Sequence, residues 1–355
     1  METSTKFSNT EVVFVITNSV ISKLFLVYPS AFAALGASAS IILALLTSAL
    51  GLVFTFLTIR LYKTKTDITN LIHSKFLKFA FSILVTALFT VNQGYFVRSV
   101  AESLKISILP DSPIFFITFI YMAGVVVCSH TGLKSIIRAH SFVTPFTLIL
   151  ILLITASSVS NFDFFNLFPV LGNGSKMFIY LVVLASYFAD FLLLMFIMPF
   201  TSQNSTCKKI IVPSYIISSV ALLLVIATYT LVIPYSTSDT FFIPIYRIAQ
   251  YIDYKSFMAR MESIFTIGWM LSYFLTSATF LYITSMISGR IFGAKSYRPF
   301  MYVIAFIIFA ISFIPQDTNQ LVEWSNFFSY PKLVVGMLLP LIILYSANKR
   351  EVSKS

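Results

Sequence analysis

Residues 177–200 read MFIYLVVLASYFADFLLLMFIMPF. The stretch is long enough to cross a bilayer, because about 20 apolar residues span a hydrocarbon core of about 30 Å. It is also interrupted. Ser186 and Tyr187 stand near its middle, Asp190 follows and Pro199 closes it. An ionisable group at bilayer depth costs about 2.5–3.5 kcal/mol even on the mild insertion scale. A carboxylate kept there is either paired or in use. An earlier stretch is built the same way. Residues 11–32, EVVFVITNSVISKLFLVYPSAF, place Asn18, Ser19 and Ser22 before a mid-span Lys23, and Pro29 follows.

Working outward, the same apolar windows recur along the chain. The spans predicted are 11–32, 37–59, 79–97, 113–129, 141–159, 177–200, 210–234, 263–287, 299–314 and 329–347. Of 355 residues 58% are apolar and 10% charged, against about 25% charged in soluble domains. The connections left over are too short for a soluble domain, which usually starts near 50 residues. An attached ATPase, kinase or hydrolase domain is thereby excluded, and 1–355 reads as one all-α integral membrane domain of about ten helices. The interrupted stretches are the first and sixth spans. Two halves, about 11–159 and 177–347, therefore each open on a broken helix. Inverted-repeat transporters have this arrangement, with substrate held where the breaks meet at mid-membrane.

Charge sets the expected orientation. With the N-terminus inside, sixteen Lys and Arg fall in inner segments and seven in outer ones, Lys332 among the seven. The positive-inside rule then puts both termini in the cytoplasm. The net charge of +11 reads as inner loops facing anionic lipid, not as a nucleic-acid footprint. Gly289–Lys295, GRIFGAK, has the wrong spacing for a phosphate loop and reads as a basic turn. Cys128 and Cys207 form no C-x-x-C, and His73, His130 and His140 sit near predicted helix ends, so no metal or cofactor is expected. No enzyme motif is present. The connection at 235–262 carries Phe241, Phe242, Ile245, Ile248, Ala249 and Ile252 at helical spacing. It reads as an amphipathic helix, on the outer interface or packed on its own protein.

The candidate ligand-binding residues are Ser19, Ser22 and Lys23 in the first span, Asn92 in the third, and Ser186, Tyr187 and Asp190 in the sixth. Asn92 and its neighbour Gln93 share one ambiguity, between ligand contact and packing between helices. Two readings stand side by side: Lys23 and Asp190 bind ligand, or they neutralise each other as a structural pair. Ser, Asn and Tyr within spans equally serve as glue between helices. Arg260 and Glu262 read as an interfacial pair.

Four short stretches, in order, resemble a known family. These are Arg98–Glu102 leading to Leu109-Pro110-Asp111-Ser112-Pro113; Gly132–Arg138 followed by Pro145; Asn166–Leu171 with Gly174; and Arg260–Phe265 with Trp269. Together they resemble the B subunit of bacterial spore germination receptors, the endospore germination permeases of the amino acid–polyamine–organocation superfamily. Lys134 departs from it, where the family often has an acid, and so does Lys23 in a helix that is usually small and apolar. The resemblance implies a leucine-transporter-like fold of five plus five inverted helices. It further implies a nutrient sensor, often for amino acids, acting with an A subunit and a C-type lipoprotein in the spore inner membrane. On that footing Lys23 is expected to hold a ligand carboxylate and Asp190 an amino group. The alternatives are a proton- or sodium-coupled amino acid permease, with Asp190 or Thr276 and Ser277 serving the ion, and a ligand-gated ion channel.

Overall fold

The computed structural model describes residues 6–352, apart from 27, 64, 175–176, 203–204, 239–241 and 252–260. Phe241, Ile252 and Arg260 lie outside the described residues. The described chain is helical, and its one extended contact is a bridge between Phe7 and Thr201. The helices are α1 (Asn9–Ile21), α2 (Tyr28–Gly36), α3 (Ser40–Leu61), α4 (Lys75–Ser107), α5 (Ile114–His130), α6 (Leu133–Ser158), α7 (Met177–Ala185), α8 (Leu192–Ile197) and α9 (Cys207–Val232). Two short ones, α10 (Tyr235–Ser238) and α11 (Pro244–Tyr251), precede α12 (Met261–Ile291), α13 (Arg298–Ile311), α14 (Thr318–Leu333) and α15 (Leu339–Val352).

Seven helical stretches among the described residues are long and apolar enough to cross a membrane. The shorter apolar α5 and α13 and the broken α1–α2 complete ten passes in the expected order. Three passes differ most from the expected bounds, one of them α6, which begins at Leu133 rather than near 141. α4 overruns 79–97 at both ends. The tenth begins at Thr318 rather than near 329, because the polar run Thr318–Ser329 is helical, capped by Asp317, whose side chain accepts from the Gln320 N–H.

Contacts at the helix ends sort the passes into two layers. At one end, Phe7 meets Phe200 and Thr201, Lys65 donates to the Ser202 carbonyl, Arg290 pairs with Asp67, and Asn348 donates to the Leu61 carbonyl. Both described chain ends therefore lie at this end. At the other, Asn173 donates to the Ala34 and Leu35 carbonyls, Asn166 to that of Leu231, and Arg98 to that of Gln316. The chain reverses between the first two passes at Gly36–Ala39, where Ala37 adopts a left-handed φ of 51°.

Burial separates scaffold from lipid face. In the sixth pass 89% of Val183–Phe200 is buried, against 33% of the most apolar window of α6 and the turn after it. Phe142, Phe165, Phe306 and Ile342 are exposed, as suits hydrocarbon contact and not water. α11 is amphipathic as expected. Its Ile245, Ile248 and Ala249 are buried against the bundle, so of the two readings it takes the packing on its own protein.

Candidate functional site

The site forms where two passes stop being α-helical. α1 tightens into a 3₁₀ turn at Ser22–Phe25, and the chain resumes as α2 at Tyr28. α7 passes into a 3₁₀ segment at Ser186–Phe191 before α8. Breaks of this kind free backbone carbonyls, and at membrane depth those must be satisfied by protein. Lys23 does so. Its Nζ donates to the Tyr187 carbonyl at 2.9 Å and lies 2.7 Å from Asp190 Oδ2. The same ammonium stands 5.9 Å from the Tyr28 ring centroid and 5.5 Å from that of Tyr187. Lys23 is fully buried and Asp190 nearly so. The two charges predicted at matching places in the two halves thus meet, and they meet as an ion pair.

Two glycines admit the broken segment to the core. A Cβ on Gly51 of α3 would lie 2.6 Å from the Phe188 ring. A Cβ on Gly336 would lie 2.8 Å from Ala189 Cβ and 3.1 Å from its carbonyl oxygen. Gly336 belongs to a π-helical turn, Val334–Leu338, that joins α14 to α15 and presses on the 3₁₀ segment of the sixth pass. Turns of this type mark functional sites often. Gly336→Ala is expected to force the two segments apart and cost about 1–3 kcal/mol, as overpacking does. Thermal unfolding in detergent checks this, and an unchanged midpoint would show that the contact yields freely.

The same tenth pass brings a charge that the sequence reading placed elsewhere. Lys332 is counted with the outer charges, at the predicted start of the tenth span. It lies about 20 Å along α14 at 1.5 Å per residue, and it is buried. Its Nζ stands 5.3 Å from the Phe96 ring centroid, within electrostatic range of Lys23 and Asp190. Among the described residues it has no acidic partner and no hydrogen bond. The buried centre therefore holds two lysine side chains and one aspartate.

Aromatic rings complete the enclosure. Tyr28 and Tyr187 are 5.6 Å apart, Phe96 and Tyr273 5.6 Å, and Tyr273 and Trp269 6.1 Å. Tyr28, Tyr95 and Tyr273 are buried as well. Several buried polar atoms here lack a hydrogen bond of good geometry: the Tyr187 hydroxyl, Ser186 Oγ, Asn92 Oδ1 and both amide atoms of Gln93. Asn92 lies one turn before Phe96 on α4.

Other expected residues are committed locally. Ser19 Oγ donates to the Val15 carbonyl at 2.9 Å and Ser22 Oγ to that of Ser19 at 3.3 Å, so both hydroxyls serve their own helix. Asn18 joins α1 to α12 by donating to the Ser272 carbonyl at 2.9 Å and accepting from Ser272 Oγ at 2.7 Å. Thr276 donates to Ser272, and Ser277 shares a hydrogen bond with Tyr121, so both are engaged in packing. The loop motifs act as struts. Arg98 pairs with Glu102 at 2.7 Å, and Trp269 is buried behind the site. Among the described residues no group of three or more His, Cys, Asp or Glu could hold a metal ion.

Broken first and sixth passes meeting over buried charges define an all-helical membrane protein of transporter architecture. Solved structures carry the same fold. The manganese transporter of Eremococcus coleocola, as a mutant and in complex with an aromatic bis-isothiourea compound, matches with a TM-score of 0.58 at 13% identity, over 93% of this chain and 78% of that one. The fold is leucine-transporter-like. The chain belongs to the spore germination protein family, whose pattern it matches over residues 6–321. Among its relatives, spore germination protein A2 of Bacillus subtilis (strain 168) is 25% identical over 76% of this chain and 74% of that protein. Spore germination protein B2 of the same organism is 22% identical, over 77% and 75%.

Proposed function

We propose that the chain is the membrane-embedded sensing subunit of a germination receptor and binds a small carboxylate-bearing nutrient, most simply an amino acid, between its broken passes. The observation that carries this is Lys332, a buried lysine that among the described residues has no acidic partner, beside a pair already neutralised. An unpaired charge at that depth is costly and marks a functional site by default. A ligand carboxylate removes the cost. The carboxylate is therefore assigned to Lys332 and not to Lys23, which Asp190 occupies. A ligand ammonium at Asp190 would compete with Lys23 and loosen the first pass from the sixth. Ligand shifts such a balance only by binding one arrangement more tightly than the other. An A subunit and a C-type lipoprotein in the spore inner membrane would read the change, with both termini of this chain cytoplasmic. The two repeats would run about 11–159 and 177–347.

The test is calorimetry of the purified chain in nanodiscs against the standard L-amino acids and their C-terminal amides. At least one acid is expected to bind while its amide binds far more weakly. No binding by any acid would overturn the reading. A permease is the second reading, favoured by the transporter fold. Uptake of the bound amino acid into proteoliposomes holding this chain alone would establish it.

A further inference from the structure

A second concentration of charge lies at the end of the bundle where both described chain ends meet. A cavity of about 660 Å³ opens there, lined by Lys6, Lys134, Arg290, Lys295 and Arg298 and, among the described residues, by no acidic side chain. The five cations come from separate parts of the chain: the segment before α1, the start of α6, the end of α12, the turn after it, and the start of α13. Only Arg290 has an acidic partner among the described residues, Asp67, which holds its guanidinium from outside the lining. Lys6, Lys134, Lys295 and Arg298 are exposed and, among the described residues, carry no ion pair.

A charge-rich inner face is ordinary in a membrane protein. Convergence on one concavity is not required by it. A basic rim needs charges spread over the surface, whereas here they ring a single space walled by Phe7, Phe200 and Tyr282. Like charges gathered so closely repel, and an anion carrying more than one negative charge in a small radius relieves that best. The Arg298 guanidinium fork suits phosphate oxygens, which it binds through paired hydrogen bonds, and the lysines add point charges around it. Beside the cavity, Phe292 in the turn after α12 is exposed and stacks on Phe300 at 5.5 Å.

We propose that this cavity is a binding site for a phosphate group, supplied by an anionic lipid headgroup or by a soluble phosphate. Its position gives the site a consequence. Phe7 leads into α1, and Pro199, Phe200 and Thr201 end the sixth pass. Phe7 and Phe200 are already joined by a backbone hydrogen bond of 2.9 Å, and Ser202 donates to the Phe7 carbonyl at 3.0 Å. A phosphate bound among the five cations would tie these joined ends to α12 and α13.

The experiment uses the full chain in phosphatidylcholine nanodiscs titrated with pyrophosphate, and in nanodiscs containing phosphatidylglycerol, with retained lipid read by native mass spectrometry. Two double variants are compared, Lys295→Gln with Arg298→Gln in the cavity, and Lys75→Gln with Lys208→Gln outside it. All four side chains are exposed, so folding is preserved. The cavity variant is expected to lose at least about tenfold in affinity, since two charge-assisted contacts are removed, and the other variant to change little. Pyrophosphate binding identifies a soluble phosphate as the source. Selective retention of phosphatidylglycerol without it identifies the headgroup. Equal loss in both variants would make the effect a diffuse property of a basic face and overturn the proposal. So would failure of the unaltered chain to bind either.

Discussion

Replacing Asp190 with asparagine is expected to destabilise the protein by about 3–5 kcal/mol, read as a lowered unfolding midpoint in detergent. The partner explains the size. Lys23 is wholly buried, and its ammonium rests on one carboxylate oxygen at 2.7 Å and one backbone carbonyl at 2.9 Å. Asparagine fills the same space but leaves the ammonium charged, buried and uncompensated. Lys23→Met is expected to cost a similar amount by stranding Asp190. The double replacement Lys23→Met with Asp190→Leu should recover most of the loss, because an apolar pair of similar volume is often neutral or better than a buried ion pair. A double variant as unstable as the sum of the singles would show that the two residues act through other neighbours.

Lys332 carries the opposite expectation. Lys332→Met removes a buried cation that has no partner, so stability is expected to hold or rise. Ligand binding should fall. Losing a charge-assisted contact costs about 1.5–3 kcal/mol, or roughly 10- to 150-fold in affinity. The loss should fall on the amino acid and spare its amide, so that the preference between the two disappears. Lys332→Arg keeps the charge and should keep part of that preference. If Lys332→Met weakens acid and amide alike, Lys332 shapes the site without holding the carboxylate. The pairing of lowered binding with undiminished stability separates a ligand contact from a structural strut, since a strut would lose both.

The contrast between these two lysines marks where reading the sequence succeeds. Lys23 was visible because it interrupts a long apolar run, and a charge in such a run has few explanations. Lys332 was hidden. It stands near the start of the predicted span 329–347, directly after Pro331 and the less apolar stretch Trp324–Tyr330, and so counts with the outer charges. The signal available was Pro331-Lys332 together with Gly336 a turn later. Its weight rests on the π turn and on Ala189, which lies far away in the chain. Tyr28, Tyr95 and Tyr273 escaped for a related reason. Aromatic residues are frequent in membrane spans, and only packing tells which of them face a charge.

The serines show the reverse case. Ser19 and Ser22 sit beside the break and looked like ligand contacts, yet each hydroxyl finds a carbonyl in its own helix. Local back-bonding of this kind is always open to serine in a helix. Proximity in sequence to a broken segment therefore does not assign a role.

By itself the sequence determined the solvent and the plan. Apolar runs of bilayer length make a helical membrane protein, because hydrocarbon leaves backbone groups no other partners, and matched charges in the first and sixth runs mark where the helices break. Only the tertiary structure decided which charges cancel. Lys23 and Asp190 are 167 positions apart in the chain yet 2.7 Å apart in space, and that contact leaves Lys332 as the unmatched cation. Coulomb energy depends on distance in space and on the surrounding dielectric, and neither is written in the order of residues.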